Sequence, residues 1–481
     1  MSLTSLKARA IRLLPNNPFA RGVSVLVGGT AGAQLLMVLA SPLLTRLYTP
    51  DDFGLLAVYA GLLGVLAVIA SLRYELAIPL PESDQDAASV VILSLVAVLV
   101  VTLLAALVVL VAGEPIAAAL GVPKLADVFW LLPFGVLLQG GYKVFNYWAI
   151  RTRQFPIIAR TRIRQALATL AIQLLGAKAG GVSLLAGQAG GQGVGSITLA
   201  RAALQRPELR RWCWRDVWHS AKRYRYFPLF STWGGFFNSV GQQLPPLLFA
   251  ALFSASAAGL YALAHRVLAM PMSIVGQAVG HVFFSDAAEA YREGRLGPLV
   301  SNVHEKLAQI AMPPALVLIV AGPDLFALVF GEQWRIAGEF SRWMAPWLYM
   351  VFITSPLSTL FSVMEKQVQG MLFNLGLLLV RIVAIALGAW HGELILAVML
   401  FATASVLCWV GFLAWIALIT GNTPGMILRP AGSALAVSLA AVFPLWLGTH
   451  WPVLSGVWWS SVAATAGLIL THYWRQFRKA Y

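Results

Sequence analysis

Apolar runs of 18 or more residues recur from Gly22 to the C-terminus, and they leave a chain of this kind few folds to adopt. One of them, from Ala87 to Ala112, carries no charged residue. A bilayer's hydrocarbon core is about 30 Å thick, which about 20 helical residues cross at ~1.5 Å each. The runs therefore read as membrane-spanning helices rather than buried core helices. Only 11% of the 481 residues are charged and the mean hydropathy is +0.77, whereas a soluble domain is about one quarter charged. The first run, 22–44, follows basic residues but is too long for a signal-peptide core and shows no cleavage site, so it reads as a retained helix.

Dividing the chain at charged, polar or Pro/Gly-bearing breaks predicts fourteen spans: 22–44, 53–78, 87–112, 126–148, 161–178, 181–203, 229–252, 257–284, 304–330, 337–363, 368–390, 393–419, 431–448 and 453–474. The fold class expected is thus an all-α polytopic membrane protein. Alternating the loops across the membrane puts 26 of the 34 Lys and Arg on the side of the N-terminus and 5 on the other, with Lys143, Arg266 and Arg381 inside spans. Such an asymmetry marks the cytoplasmic side, so both termini are expected there. The net charge of +15 is then a topology signal and calls for no nucleic-acid partner.

Two pairs of segments repeat at one offset. "AQLLMVLASPLLTRLY" from Ala33 aligns with "QQLPPLLFAALFSASA" from Gln242, and "GEPIAAALGVP" from Gly113 with "GPDLFALVFGEQW" from Gly322, each 209 residues on. Spans one to six and seven to twelve then form parallel repeats, and spans thirteen and fourteen stand outside them. In transporters such halves rock about a midplane site. The expected organisation is an N-lobe at 1–203, a cytoplasmic linker at 204–228, a C-lobe at 229–419, and two extra helices with a basic tail at 420–481, the lobes enclosing a central cavity. The linker places Trp214 and Trp218 on one helical face and Arg211, Arg215 and Lys222 on another, the pattern of an interfacial helix on an anionic leaflet. Linker and lipid recruiter are both open readings of it.

Polar residues inside spans line up at helical spacing: Thr30, Gln34, Ser41 and Thr45 in span one; Ser231, Gly235, Asn238 and Gln242 in span seven; Arg266, Ser273 and Gln277 in span eight. They line either a water-filled cavity or interhelical hydrogen bonds. Arg266 lies about 14 Å into its span, near the midplane, where a charge costs on the order of 3 kcal/mol unless it meets water or an anion. Lys143 and Arg381 are the other buried cations; Arg73 sits near a helix end, where Glu75 offers a partner, and Lys143 is long enough to snorkel. No carboxylate lies comparably deep, since Glu75, Asp324 and Glu365 all read as near ends. The surplus of buried positive charge predicts anionic cargo. Pro42, Pro245, Pro246 and Pro271 read as joints that bend helices.

Other chemistries find little support. The glycine-dense "AGQAGGQGVGS" from Ala186 follows no strand and lacks the Lys and Ser/Thr of a phosphate loop. Cys213 and Cys408 have no metal-ligand spacing. No Ser/His/Asp set or carboxylate pair appears, so neither an enzyme nor a metal or organic cofactor is expected.

Three blocks resemble polysaccharide flippases of the Wzx (PST) type in the MOP superfamily, which also holds the MATE exporters and the lipid II flippase. They are "LLTRLYTPDDFGLLAVYAGLLGVLAVIASLRYELAIPLPESDQDA" from Leu43, "AGLYALAHRVLAMPMSIVGQAVGHVFFSDAA" from Ala258 and "FGEQWRIAGEFSRWMAPWLYMVFITSPLSTL" from Phe330. The resemblance implies transfer of undecaprenyl-pyrophosphate-linked oligosaccharide across the bacterial inner membrane by alternating access. It implies a cavity lined by spans one, two, seven and eight, a monomer in contact with membrane lipids, and as partners a polysaccharide polymerase and a chain-length regulator. By position Arg266 and Arg73 match the family's recurring arginines, while Lys143 and Arg381 rest on burial alone. A lipid II-type flippase and a cation-coupled MATE-like exporter are the alternatives within the superfamily, and a membrane glycosyltransferase is the one outside it. The energy source stays open among membrane potential, H⁺ and Na⁺, with His265 either a proton carrier or a packing residue.

Overall fold

A computed structural model describes residues 18–271, 277–450 and 455–480, and the chain there is helical throughout. It divides into two compact units, Met1–Gly259 and Leu260–Tyr481.

In the first unit the expected span at 22–44 falls in one apolar stretch long enough to cross a membrane, Ser24–Leu47, with the helix interrupted at Ala40. Helix α1 runs Pro18–Leu39 and α2 runs Ser41–Leu47, with Pro42 in the first turn of α2. Proline has no amide to donate and its ring opposes a continuous helix, so the joint falls where Pro42 demands it. Helix α3 (Pro50–Ile69) opens on a capping box in which Thr49 and Asp52 satisfy each other's backbone amides. It ends early, because Leu72 and Arg73 take the left-handed conformation at φ 49° and 63° and turn the chain into a short 3-10 helix, Tyr74–Ala77. Then follow α4 (Asp84–Ala119), a short α5 (Lys124–Val128), α6 (Leu131–Arg151), α7 (Phe155–Leu175) and α8 (Gly181–Leu204). The glycine-dense stretch lies in α8 and serves close packing on α7. A β-carbon on Gly191 would stand 1.9 Å from the Thr169 hydroxyl oxygen, and one on Gly187 2.9 Å from the Thr169 carbonyl oxygen.

A linker helix α9 (Trp214–Arg223) and a π-helical turn, Phe227–Ser231, lead into α10 (Thr232–Leu252). Helix α10 packs on α3. A β-carbon on Gly61 would meet Leu247 of α10 at 3.2 Å, and one on Gly64 would meet Gln243 at 2.3 Å. Compactness therefore divides the chain one helix later than the linker at 204–228, because α10 presents its inner face to α3. Pro245 and Pro246 lie inside an unbroken α10.

The second unit continues α11 (Ala255–Pro271), which begins in the first, through α12 (Gln277–Arg292), α13 (Leu296–Phe330), α14 (Arg335–Thr354), α15 (Leu360–Val363), α16 (Gln367–Trp390), α17 (Leu394–Ile419), α18 (Pro424–His450) and α19 (Ser455–Ala480). The span expected at 257–284 falls on α11 and α12. Residues 272–276 between them, with Ser273 of the expected stripe, lie outside the described residues. A cluster of Phe361, Phe373, Trp409, Phe412 and Trp415, with ring centroids 5.0–6.5 Å apart, cements α15, α16 and α17. The last two helices dock on α13, where the Gln309 amide donates to the Ser433 hydroxyl at 3.1 Å and the Tyr473 hydroxyl to the Ile310 carbonyl at 2.8 Å.

Seven of the described helices are long and apolar enough to cross a membrane, or eight if the bent pair Glu332–Thr354 and Pro356–Val363 forms one span. The remaining expected spans coincide with helices that are shorter or more polar, such as α7 and α11.

Candidate substrate site

Three of the four candidate cations lie at two places, Arg73 and Lys143 in the first unit and Arg381 in the second. In the first, the left-handed turn at Leu72 and Arg73 folds the chain back so that Glu75, expected near a helix end, is 1% exposed. The Ser71 hydroxyl donates to its carboxylate, and Arg73 Nη1 lies 3.9 Å from Glu75 Oε1. Lys143 on α6 donates to the Ala67 carbonyl at 2.8 Å. Glu75 is thus a buried carboxylate just past the end of α3, near a helix end as the sequence places it, with Arg73 as its ion-pair partner. Arg73 Nε is buried without a hydrogen-bond partner among the described residues.

Helix α10 makes the room for this cluster. A β-carbon on Gly235 would stand 2.8 Å from both Nε and Nη2 of Arg73. One turn on, the Ser239 hydroxyl donates to the Gly64 carbonyl at 3.1 Å. The expected stripe of α10 therefore splits: Gly235 is buried against Arg73, whereas Asn238 and Gln242 are exposed. The stripe of the first span splits too. The hydroxyls of Thr30, Ser41 and Thr45 bond carbonyls of their own segment at 3.0, 2.9 and 3.1 Å, and Ser41 and Thr45 are buried. Gln34 remains exposed. Hydroxyls so bonded have spent their donors on the backbone.

In the second unit Arg381 is enclosed by rings. Its guanidinium carbon lies 4.9 Å from the Trp347 centroid and 5.3 Å from that of Phe401, and Nε donates to the Ser405 hydroxyl at 3.0 Å. His265 stacks between Tyr261 and Trp347 at 5.7 and 5.9 Å. Trp347 and Phe401 cross nearly at right angles, 5.0 Å apart. The charge of Arg381 is thereby met by two π faces inside the protein, and His265 is brought to the same cluster as a stacked ring. Sequence reading missed Trp347, Phe401 and Ser405, because apolar residues at helical spacing look alike until a cation is seen above them.

Arg266, next to His265 on α11, is partly exposed and has no hydrogen-bond or ion-pair partner among the described residues. That separates it from Arg73, Lys143 and Arg381, each of which has one. Pro271 closes α11; the side chains of Pro271 and Gln277 lie outside what the structure describes.

The profile of a family described as polysaccharide biosynthesis protein matches residues 43–338. The chain is 26% identical over 466 residues to the succinoglycan biosynthesis transport protein ExoT of Rhizobium meliloti (strain 1021), covering 92% of this chain and 90% of that one. Its fold is similar to the lipid II flippase MurJ in an inward closed conformation, with a TM-score of 0.75 at 12% identity over 95% of this chain and 99% of the other. It is also similar to an inward-facing MATE family multidrug transporter of the MOP superfamily, with a TM-score of 0.60 at 14% identity over 82% and 94%. The fold is thus that of the MOP transporters.

Proposed function

Because the chain belongs to the polysaccharide biosynthesis protein family, we propose that this multi-pass membrane protein flips undecaprenyl-pyrophosphate-linked oligosaccharide across the bacterial inner membrane. In this reading fourteen helices form two six-helix lobes and a C-terminal pair, both termini are cytoplasmic, and a monomer alternates access to a central cavity. The observation that carries the reading is Arg266, a cation in an apolar helix with no protein partner among the described residues. A guanidinium in low dielectric holds phosphate oxygens through paired hydrogen bonds, and a pyrophosphate supplies the anion that the protein does not. Arg73, with its unbonded Nε, adds a second positive point. Asn238, Gln242 and Gln34, exposed on their helices, suit hydroxyl-rich sugar. The similarity to a succinoglycan transport protein supports a glycan cargo.

The test is Arg266→Ala in a cell that depends on this protein for its exported polysaccharide. Export is expected to stop while the lipid-linked unit accumulates inside. Near-normal export by a well-expressed Arg266→Ala protein would overturn the reading.

Glu75 favours a second reading for the energy source. In this reading the carboxylate, 1% exposed and 3.9 Å from Arg73, is the group through which transport is coupled to H⁺. Glu75→Gln should then abolish the dependence of flipping on a proton gradient while leaving downhill flipping in place; an unchanged gradient dependence rejects it.

A further inference from the structure

The segment joining α8 to α10 carries a chemistry outside the candidate substrate site. Between residues 201 and 225 stand eight cations, Arg201, Arg206, Arg210, Arg211, Arg215, Lys222, Arg223 and Arg225, against Glu208 and Asp216. Among the described residues none of the eight is in an ion pair. Three lie instead over neighbouring rings: Lys222 over Trp218 at 5.5 Å, Arg223 over Tyr224 at 5.5 Å and Arg225 over Tyr226 at 5.4 Å.

Helix α9 shows which way this chemistry points. Val217 and Ser220 are buried and the helix packs on α4, while Gln85 of α4 donates to the Arg211 carbonyl. The opposite face carries Trp214 and Trp218, one turn apart and 60% and 62% exposed, flanked by exposed Arg215 and Lys222. Indoles that large are not left in water without a reason. Phe230, Trp233 and Phe237 extend the exposed aromatic row into the first turns of α10. Exposed indoles beside cations, between two helices that the proposed topology places in the membrane, match the interface of a bilayer with negative lipids.

We propose that α9 and its flanks form a binding site for anionic phospholipid headgroups, with Trp214 and Trp218 seated at the acyl boundary and Arg211, Arg215 and Lys222 on the phosphates. The occupant is the surrounding bilayer rather than the transported lipid. A row of exposed indoles needs a continuous apolar surface, and the cations are spread along the segment instead of converging on one point. The site fixes α9 to the membrane surface, so the connection between α8 and α10 tightens as the negative lipid content rises.

Cys213, exposed between two indoles whose centroids are 6.3 Å apart, gives a direct reporter. The full-length Cys408→Ser protein is labelled at Cys213 with an environment-sensitive fluorophore. It is then reconstituted in phosphatidylcholine vesicles containing a rising fraction of phosphatidylglycerol. The expected result is an emission shift to the blue with phosphatidylglycerol, and its weakening in 1 M salt, where charges are screened beyond about 3 Å. Arg211→Gln, Arg215→Gln and Lys222→Gln together should weaken the lipid dependence on the order of a hundredfold, about fivefold per charge. Trp214→Ala with Trp218→Ala should lower the blue shift at every lipid composition. Emission independent of phosphatidylglycerol, or unchanged by the triple substitution, overturns the proposal. A response to a short-chain polyprenyl pyrophosphate in pure phosphatidylcholine, without one to phosphatidylglycerol, overturns it in favour of substrate docking.

Discussion

The guanidinium of Arg73 occupies the space that a side chain on Gly235 would need, with Nε and Nη2 each 2.8 Å from where a β-carbon there would stand. Arg73 is the flexible partner of the two, so the encroachment displaces a charge rather than a helix. Gly235→Ala is expected to leave the melting temperature of the purified protein nearly unchanged while cutting transport severalfold. Removing the charge itself differs. Arg73→Ala leaves Glu75, 1% exposed, without its ion-pair partner, and such a change costs about 3–5 kcal/mol. Arg73's own side chain is 27% exposed, so the lower end of that range applies. The pair Arg73→Ala and Glu75→Gln should recover most of the lost stability in thermal-shift assays.

Two glycines tolerate nothing larger. A β-carbon on Gly54 would lie 1.8 Å from the Ala255 carbonyl oxygen, and one on Gly259 2.0 Å from that of Pro50. Here both neighbours are backbone, so the helices themselves must part. Gly54→Ala and Gly259→Ala are each expected to cost more than the 1–3 kcal/mol of ordinary overpacking and to shrink the monodisperse fraction in size-exclusion chromatography. Gly32→Ala, with nothing within 4 Å, should behave as the parent.

Arg151 organises the loop before α4. Its Nη1 donates to the carbonyls of Pro81, Pro79 and Ile78 at 2.7, 3.3 and 3.4 Å, its Nη2 to that of Glu82 at 3.4 Å, and its Nε to Asp84 Oδ1 at 2.9 Å. A planar fork can serve acceptors spread so widely, whereas a lysine ammonium is a single point. Arg151→Lys should cost about 2–3 kcal/mol, read as faster hydrogen exchange confined to residues 79–84.

How much of this was legible in the sequence depended on whether the cause was local. Apolar runs and the proline at position 42 act on their own segment, so the helices and the joint between α1 and α2 could be read directly. The Arg73 cluster could not. Its geometry hangs on positive φ at Leu72 and Arg73, which cost roughly 1 kcal/mol or more each, and nothing in "SLRYELA" announces that tertiary packing will impose it. The same holds for Arg381. Its midspan position was visible, but the rings that meet its charge come from α14 and α17, and no spacing rule links residues 347, 381 and 401. Helix α10 shows the remaining limit, since a stripe of polar residues does not say which member faces a neighbour and which faces outward.

Arg266 and Arg381 turn that difference into a prediction. Both are cations within apolar helices, yet Arg381 has Trp347, Phe401 and Ser405 around it while Arg266 has no partner among the described residues. A desolvated cation–π contact contributes about 2 kcal/mol, and the Ser405 hydroxyl, 0% exposed, loses its donor when Arg381 is removed. Arg381→Met should therefore lower thermal stability by about 2–3 kcal/mol and leave transport per folded molecule close to normal. Arg266→Met removes a charge from an apolar helix and breaks no internal bond, so stability should hold or rise while flipping of a lipid-linked pyrophosphate in proteoliposomes is lost. Measuring both quantities on both variants decides the assignment. If Arg381→Met abolishes flipping without a thermal shift, the anion site lies in the aromatic cluster. If Arg266→Met flips normally, the charge on α11 serves something other than cargo.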